Sequence, residues 1–413
     1  CREAGRRLIS PAQAPSDLAF VRAILTAMPS RWLSWVRGWS WFTASILLTG
    51  IAPAQEAVVR IGHVAPMSGW LARVGADSAN GARLAVEALN RQGVTIGGRQ
   101  VVFELVQADD AGDMARAVAA GRSLVDARVS GVVGHLLSDA TIAGGAVYAA
   151  AGIPQVAPSA TRVAYTRQGW NTAFRVIADD AHIGRLLARY LVDARKATRL
   201  VVIDDRGAFG AGLADEFSNE ALARGAQVLD RIRVDASVSD FADVLSRARS
   251  AQADAIFFGG YDRQAGLVLK QMQRLGVNAI FMGGDAICTP DLVSYWAAGA
   301  ALDDQVLCAL PAGVGGIGGA AMAEFSANYR KRFGNTPEFY APFAFDAVMV
   351  LADAMVRAES SAPADVRRAL AQTREFRGLT GIISFDEQGD VHHPAVSIFT
   401  YRAEVRQPVT TIR

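Results

Sequence analysis

The chain has 413 residues, a length that favours two lobes over one compact core. Hydrophobic residues make up 51% and charged residues 20%, which excludes a globally disordered chain. The formal net charge of +2 is small, and nothing in it points to nucleic acid.

The chain opens on a segment unlike the rest. After Met28 come Arg31 and Arg37 as a positive region, an apolar run from Trp39 to Ile51, and a small-x-small site at Ala52-Pro53-Ala54. Residues 28–54 are therefore expected to be a cleaved signal peptide, with the mature chain starting at Gln55. Residues 1–27 read as a mis-assigned upstream extension. The apolar run is too short and too rich in Ser, Thr and Gly for a membrane anchor. Six of the 42 basic residues and two of the 40 acidic ones lie in residues 1–54, leaving 36 basic against 38 acidic beyond them. The basic excess thus belongs to the leader.

From Val58 the pattern alternates strand and helix. Strands are expected at Val58–Val64, Gln100–Ala108, Ser130–Gly134 and Ile153–Ala157. Helices are expected at Ser78–Arg91, Asp113–Ala127 and Asp139–Ala150. After Phe174-Arg175-Val176 the rhythm restarts. Strands follow at Arg199–Asp204, Gln227–Val234, Ala255–Gly260 and Ile280–Gly283, with helices at Ala181–Val192, Gly212–Ala223, Asp240–Ala251 and Gln264–Leu275. Helices Ala320–Arg332, Ala341–Arg357 and Asp365–Gln372 come next, then strands Ile382–Phe385 and Val396–Tyr401 around a turn at Asp386–Asp390. Such alternation predicts α/β lobes with parallel sheets covered by helices, and the restart predicts two of them.

Two strand ends carry the most chemistry. One strand ends at Ser138 and the next at Ser159, Ala160 and Thr161. In open α/β sheets ligands bind outside the carboxyl ends of the strands. Hydroxyls and free backbone N–H groups at the following helix would suit an anion such as a carboxylate. The same residue types serve equally as plain helix caps. Two cysteines remain in an exported chain, Cys288 and Cys308. They either form a disulfide over a loop of about twenty residues, adding ~3 kcal/mol, or stay buried thiols. The histidines lack metal-ligand spacing, so no metal is expected. Asp109-Asp110 and Asp179-Asp180 read as turn and hinge residues rather than catalytic acid pairs.

The ordered set APMSG, NGARLAVEALN, Ala108–Asp110, GVVGHLLS, AGIPQVAPSAT, FRV, AFGAGLADEF, FFGGYD and FMGGD resembles the bacterial leucine/isoleucine/valine-binding proteins. These are the type I periplasmic binding proteins of branched-chain amino-acid ABC transporters. The resemblance covers Val58 to the C-terminus. It implies two doubly wound parallel-sheet lobes joined by a three-crossing hinge: 57–176 with 309–396, and 177–308 with 397–413. It implies a periplasmic receptor, not an enzyme, with no cofactor and no catalytic residue. Such a receptor works as a monomer, captures a small aliphatic amino acid by lobe closure, and delivers it to an inner-membrane permease.

By the same resemblance Ser138 and Thr161 would hold the ligand carboxylate, while the Ser159 carbonyl beside Ala160 would accept from its ammonium. Tyr261 and Asp285 would reach the ammonium from the other lobe. Leu136, Leu137, Phe209, Tyr340 and Val74 would line the side-chain pocket, Val74 standing where leucine-specific relatives have a Tyr. The family's first-lobe disulfide is missing, since its positions match Gly112 and Leu137. Another carboxylate such as an aromatic acid, an amide, or a sensory role are the alternatives. A dinucleotide-dependent oxidoreductase is disfavoured, because no G-x-G-x-x-G sits between strand and helix.

Overall fold

In the computed structural model of the chain, the described residues are 57–235, 237–289, 291–295, 304–311, 319–402 and 404–413. The expected upstream extension, 1–27, and signal peptide, 28–54, lie outside them.

Five short apolar runs build the first sheet with one hairpin strand. Their ranges are β1 (Ala57–Ala65), β3 (Arg99–Asp109), β4 (Gly131–Gly134), β5 (Gln155–Ala157) and β6 (Ala173–Arg175); β2 (Thr95–Ile96) adds antiparallel to β3. The order is β2-β3-β1-β4-β5-β6, and the pairs after β2 are parallel. The chain winds outward in both directions from the β1/β4 pair, so the crevice opens at their carboxyl ends. Helices α1 (Ala72–Gln92), α2 (Met114–Asp126) and α3 (Ser138–Ala151) connect these strands.

The second sheet repeats the plan. It contains β7 (Arg199–Asp204), β8 (Gln227–Arg233), β9 (Ala255–Gly259), β10 (Ile280–Gly283) and β11 (Val306–Leu310), with winding reversed at the β7/β9 pair. The connecting helices are α4 (Asp180–Arg189), α5 (Ala208–Ala223), α6 (Ala242–Ser250) and α7 (Asp262–Leu275), and Leu292–Tyr295 forms one turn, α8. Phe217 stacks on Phe257 at 3.9 Å between ring centroids, fixing α5 to the sheet.

Helices α9 (Gly319–Phe333), α10 (Ala341–Arg357) and α11 (Pro363–Ala371) follow, and α10 lies against α1 on the first sheet. A Cβ on Gly81 would stand 2.0 Å from the Ala341 carbonyl oxygen, so only glycine lets the α1 and α10 backbones approach so closely. Asp77 of α1 then accepts from the Glu338 and Ala341 N–H groups, each at 2.8 Å, and so caps the start of α10.

The differences from the sequence reading have local causes. Helix α1 begins at Ala72, six residues before the expected start, because its cap residue Leu71 offers no capping side chain to mark the boundary. The run Ile382–Phe385 is reduced to β13 (Ile382–Ile383), paired with β12 (Phe376–Arg377). The second sheet is not wholly parallel. Strand β14 (Val396–Arg402) pairs antiparallel with β11, and an unpredicted strand, β15 (Val405–Ile412), pairs antiparallel with β14. Pro408 argues against a central strand, but β15 is the sheet's edge, where a missing N–H does no harm.

Candidate ligand-binding site

Between the two sheets' carboxyl ends runs a cleft of about 880 Å³. Ser138, Ser159 and Thr161 line it from the first lobe, Phe209, Tyr261 and Asp285 from the second. Leu136, Leu137, Val74 and Tyr340 complete the expected set. Ala160 is the exception. It does not line the cleft, and its carbonyl accepts from the Arg175 guanidinium at 3.1 Å.

On the first-lobe side the loop after β4 carries Ser138 as the first residue of α3, where the free N–H groups of a helix start face outward. A buried chain of bonds holds this loop. Asp110 Oδ2 lies 2.6 Å from His135 Nδ1, and His135 Nε2 lies 3.1 Å from the Tyr148 hydroxyl. A Cβ on Gly144 would meet His135 Nε2 at 2.1 Å, so glycine admits the ring beneath α3. The Ser159 hydroxyl donates to the carbonyls of His135 and Leu136, at 3.1 and 2.9 Å, tying the two strand ends together. Its side chain is therefore committed to the loop. Leu71, Leu136, Leu137 and Val74 form an apolar patch beside these polar groups.

On the second-lobe side Asp285 begins a one-turn 3-10 helix after β10. It is buried, and its Oδ2 accepts from the Tyr340 hydroxyl at 2.9 Å. Its other oxygen, Oδ1, has no hydrogen-bond partner among the described residues. Burial pushes this carboxyl up to about 6, against the Tyr340 bond, which favours the charged form. An orphaned buried acceptor on a cleft wall calls for a donor, and a cationic donor best.

Two residues bear on the site that the sequence reading did not assign to it. Asp179 is the N-cap of α4, accepting from His182 N–H at 2.7 Å. Asp180, however, is fully buried behind Thr161, and among the described residues no partner meets either carboxylate oxygen at full hydrogen-bond geometry. Burial pushes it up to about 8; the Thr161 hydroxyl opposes that rise, and the charge of Asp285 adds to it. The second is Trp70, on the turn after β1. The residue is 73% exposed and lines the cleft, and its ring meets Tyr261 edge-on at 5.7 Å. Tyr261 in turn lies 5.7 Å from Phe209.

Contacts that join the two sides include Trp70 with Tyr261, Tyr340 with Asp285, Arg162 with the Ala208 carbonyl, and Arg73 with Asp291 at 2.6 Å. Among the described residues no group of three or more His, Cys, Asp or Glu side chains is arranged to hold a metal ion.

The sequence pattern of periplasmic binding proteins matches residues 58–406. The chain belongs to the periplasmic binding protein family. This binding protein is 31% identical over 366 residues to the Leu/Ile/Val-binding protein BraC3 of Rhizobium johnstonii, covering 87% of the chain and 96% of BraC3. Among solved structures it is similar to the leucine-binding protein LivK of Thermotoga maritima, with a TM-score of 0.76, 27% identity, and 86% and 98% of the two chains covered. The branched-chain amino-acid-binding LivJ of Streptococcus pneumoniae, solved with isoleucine, gives 0.76 and 27%, with 86% and 99% covered. The fold is thus the two-lobed type I binding-protein fold, and the protein is a solute receptor of the ABC-transporter class, not an enzyme. Its family places it in the periplasm.

Trp70 is expected to matter for affinity without being structural. Trp70→Ala should weaken ligand binding about 10-fold and leave the melting temperature within about 2 °C, since an exposed ring adds little to stability. Calorimetric titration and thermal melting check both. An unchanged affinity would show that the ring only shields Tyr261.

Proposed function

We propose that this protein captures a small aliphatic amino acid, of the leucine, isoleucine or valine class, and delivers it as a monomer to an inner-membrane ABC permease. The observation that carries the proposal is the unpartnered Oδ1 of buried Asp285 on a cleft that also presents the start of α3. An acid on one wall and a helix start with hydroxyls on the other suit the two ends of an α-amino acid. The apolar patch at Leu71, Val74, Leu136 and Leu137 suits an aliphatic side chain. The names of BraC3 and LivJ, and LivJ's bound isoleucine, support the same class.

In this reading Ser138 and Thr161 hold the carboxylate, and Asp285 with Tyr261 takes the ammonium. Closure follows because only the closed form lets one ligand touch both lobes; a ligand shifts an equilibrium by its preference for one state. We place the lobe boundaries at 57–176 with 309–396 and 177–308 with 397–413, supported by the sheet each strand joins. The signal peptide at 28–54 is part of the proposal. A receptor for a simple carboxylate is disfavoured by Asp285, which would face it without a counter-ion.

The test is calorimetric titration with L-leucine, L-isoleucine and L-valine across pH. Binding is expected at pH 7. Below about 6 Asp285 is protonated in the free protein, so affinity falls with acidity. At pH 7 Asp180 is neutral and does not repel a carboxylate on neighbouring Thr161; above about 8 it ionises, and affinity falls again. The expected profile is a bell with limbs near 6 and 8, and Asp180→Asn removes only the alkaline limb. No binding of any of the three at pH 7 would overturn the proposal.

A further inference from the structure

We propose that the Cys288–Cys308 disulfide positions Asp285, holding its carboxylate ready for the ligand's ammonium while the lobes are apart. The inference rests on the amino-acid reading above. The bond is present, with the two Cα atoms 5.1 Å apart. Its place is specific. Cys288 directly follows the one-turn helix Asp285–Ile287, and its N–H donates to the Asp285 carbonyl at 2.9 Å. Cys308 sits mid-strand in β11, in register with Gly283, the last residue of β10 before the acid turn. The bridge therefore ties the end of the acid turn to the strand beside it, so that Asp285 lies between two anchors to β11, the Gly283–Cys308 pairing and the bond at Cys288.

The need for such a bridge follows from what else holds Asp285. Among the described residues, the side-chain bond to its carboxylate comes from Tyr340, which belongs to the opposite wall of the cleft. When the lobes part, that bond is lost, and the carboxylate depends on its own lobe alone. Further along, the Tyr401 hydroxyl donates to the Thr289 carbonyl at 2.9 Å, and Arg406 donates to the Cys288 carbonyl. Both clamps act at the far end of the turn, where the Tyr401 hydroxyl also lies 3.5 Å from the Ile287 carbonyl, and the disulfide joins that same end to β11. A site already ordered before binding loses less entropy when the ligand arrives.

The test compares the oxidised protein with Cys288→Ser/Cys308→Ser and with protein reduced by dithiothreitol. Reduction leaves two thiols in the protein and converts the reagent to its cyclic disulfide. Isoleucine affinity should fall at least 10-fold in both, with circular dichroism at the assay temperature unchanged. The acid limb of the binding profile should move from near pH 6 toward the ordinary carboxylate range, as the loosened turn lets water reach Asp285. A merely structural bond would lower the melting temperature and leave that limb in place. Affinity within twofold of the oxidised protein, or an unmoved limb, would overturn the proposal. Hydrogen exchange at residues 284–289 needs no ligand and separates the two claims. If the oxidised protein binds no amino acid, the functional reading fails, while faster exchange confined to this turn on reduction still supports the staple and unchanged exchange overturns it. The reduced protein also serves if the double variant does not fold.

Discussion

Asp285→Ala is expected to weaken isoleucine binding by at least about 100-fold, because truncating one partner of a buried charge pair costs about 2–5 kcal/mol. The more informative variant is Asp285→Asn, which keeps an acceptor for the Tyr340 hydroxyl but removes the charge. It should lose nearly as much affinity, yet raise the melting temperature of the ligand-free protein. Burial lifts the folded pKa from 3.8 to about 6, above its unfolded value. The folded state therefore binds more protons than the unfolded one across that interval. Stability contributed by this group is greatest below about pH 4 and declines as pH rises to 6. At pH 7 the ionised carboxyl costs about 2–3 kcal/mol, which Asn avoids. Thermal melts of both ligand-free proteins at pH 5 and pH 7.5 check this. A variant that melts lower at pH 7.5 would mean that Asp285 is already compensated within the protein, and the case for an ammonium would weaken with it.

Arg175→Met is expected to be the most damaging single change to the fold of the site. Arg175 lies on β6 with no exposed surface, and every branch of its guanidinium is used. Nε meets Asp390 at 2.5 Å, one terminal nitrogen donates to the carbonyls of Ala160 and Arg162 at 3.1 and 3.0 Å, and the other to Thr166 at 2.7 Å. It thus closes the returning chain at Asp390 onto the loop that carries Thr161. Removing it leaves the buried Asp390 Oδ1 without its guanidinium, while Arg167 and Thr166 stay on Oδ2 at 2.8 and 3.1 Å. Breaking such a buried pair costs about 3–5 kcal/mol. Arg175→Lys should recover little, because an ammonium cannot reproduce a planar fork serving four acceptors. Urea denaturation measures the loss, and calorimetry on the remaining folded protein should show weaker binding through the loosened 160–162 loop. A loss below about 1 kcal/mol would contradict this role.

Much of the fold was legible because the buried strands are short, wholly apolar runs between helical periods; Arg199–Asp204 and Ile280–Gly283 appear at their expected bounds. Strand β15 was hidden by Pro408 and its alternation of exposed polar residues, both permitted at an edge but neither diagnostic of one. The site was legible where chemistry and position coincide. Ser138 follows β4 and Tyr261 follows β9, one strand from each switch point, so strand-end reasoning reaches them. Trp70 follows β1, the other strand of the first switch point. The Ser68-Gly69 turn was the available signal, but an aromatic residue on a turn has no periodicity to betray its direction. Asp180 is different in kind. In sequence it is the second acid of a helix start, and such acids are usually solvated. Its burial is tertiary, arising because α5 brings Gly212 so close that a Cβ there would lie 3.3 Å from Asp180 Oδ2.

In the proposed mode of capture one ligand is gripped by its carboxylate on one lobe and its ammonium on the other. The most direct test is a thermal-melt comparison on protein stripped of ligand by unfolding and refolding. L-isoleucine would be set against 3-methylpentanoate, which lacks the amine, and 2-methylbutylamine, which lacks the carboxylate. Only isoleucine is expected to raise the melting temperature by several degrees, because each analogue leaves one buried polar wall unpaired. Equal stabilisation by 3-methylpentanoate would contradict the ammonium role of Asp285 and make this protein a carboxylate receptor.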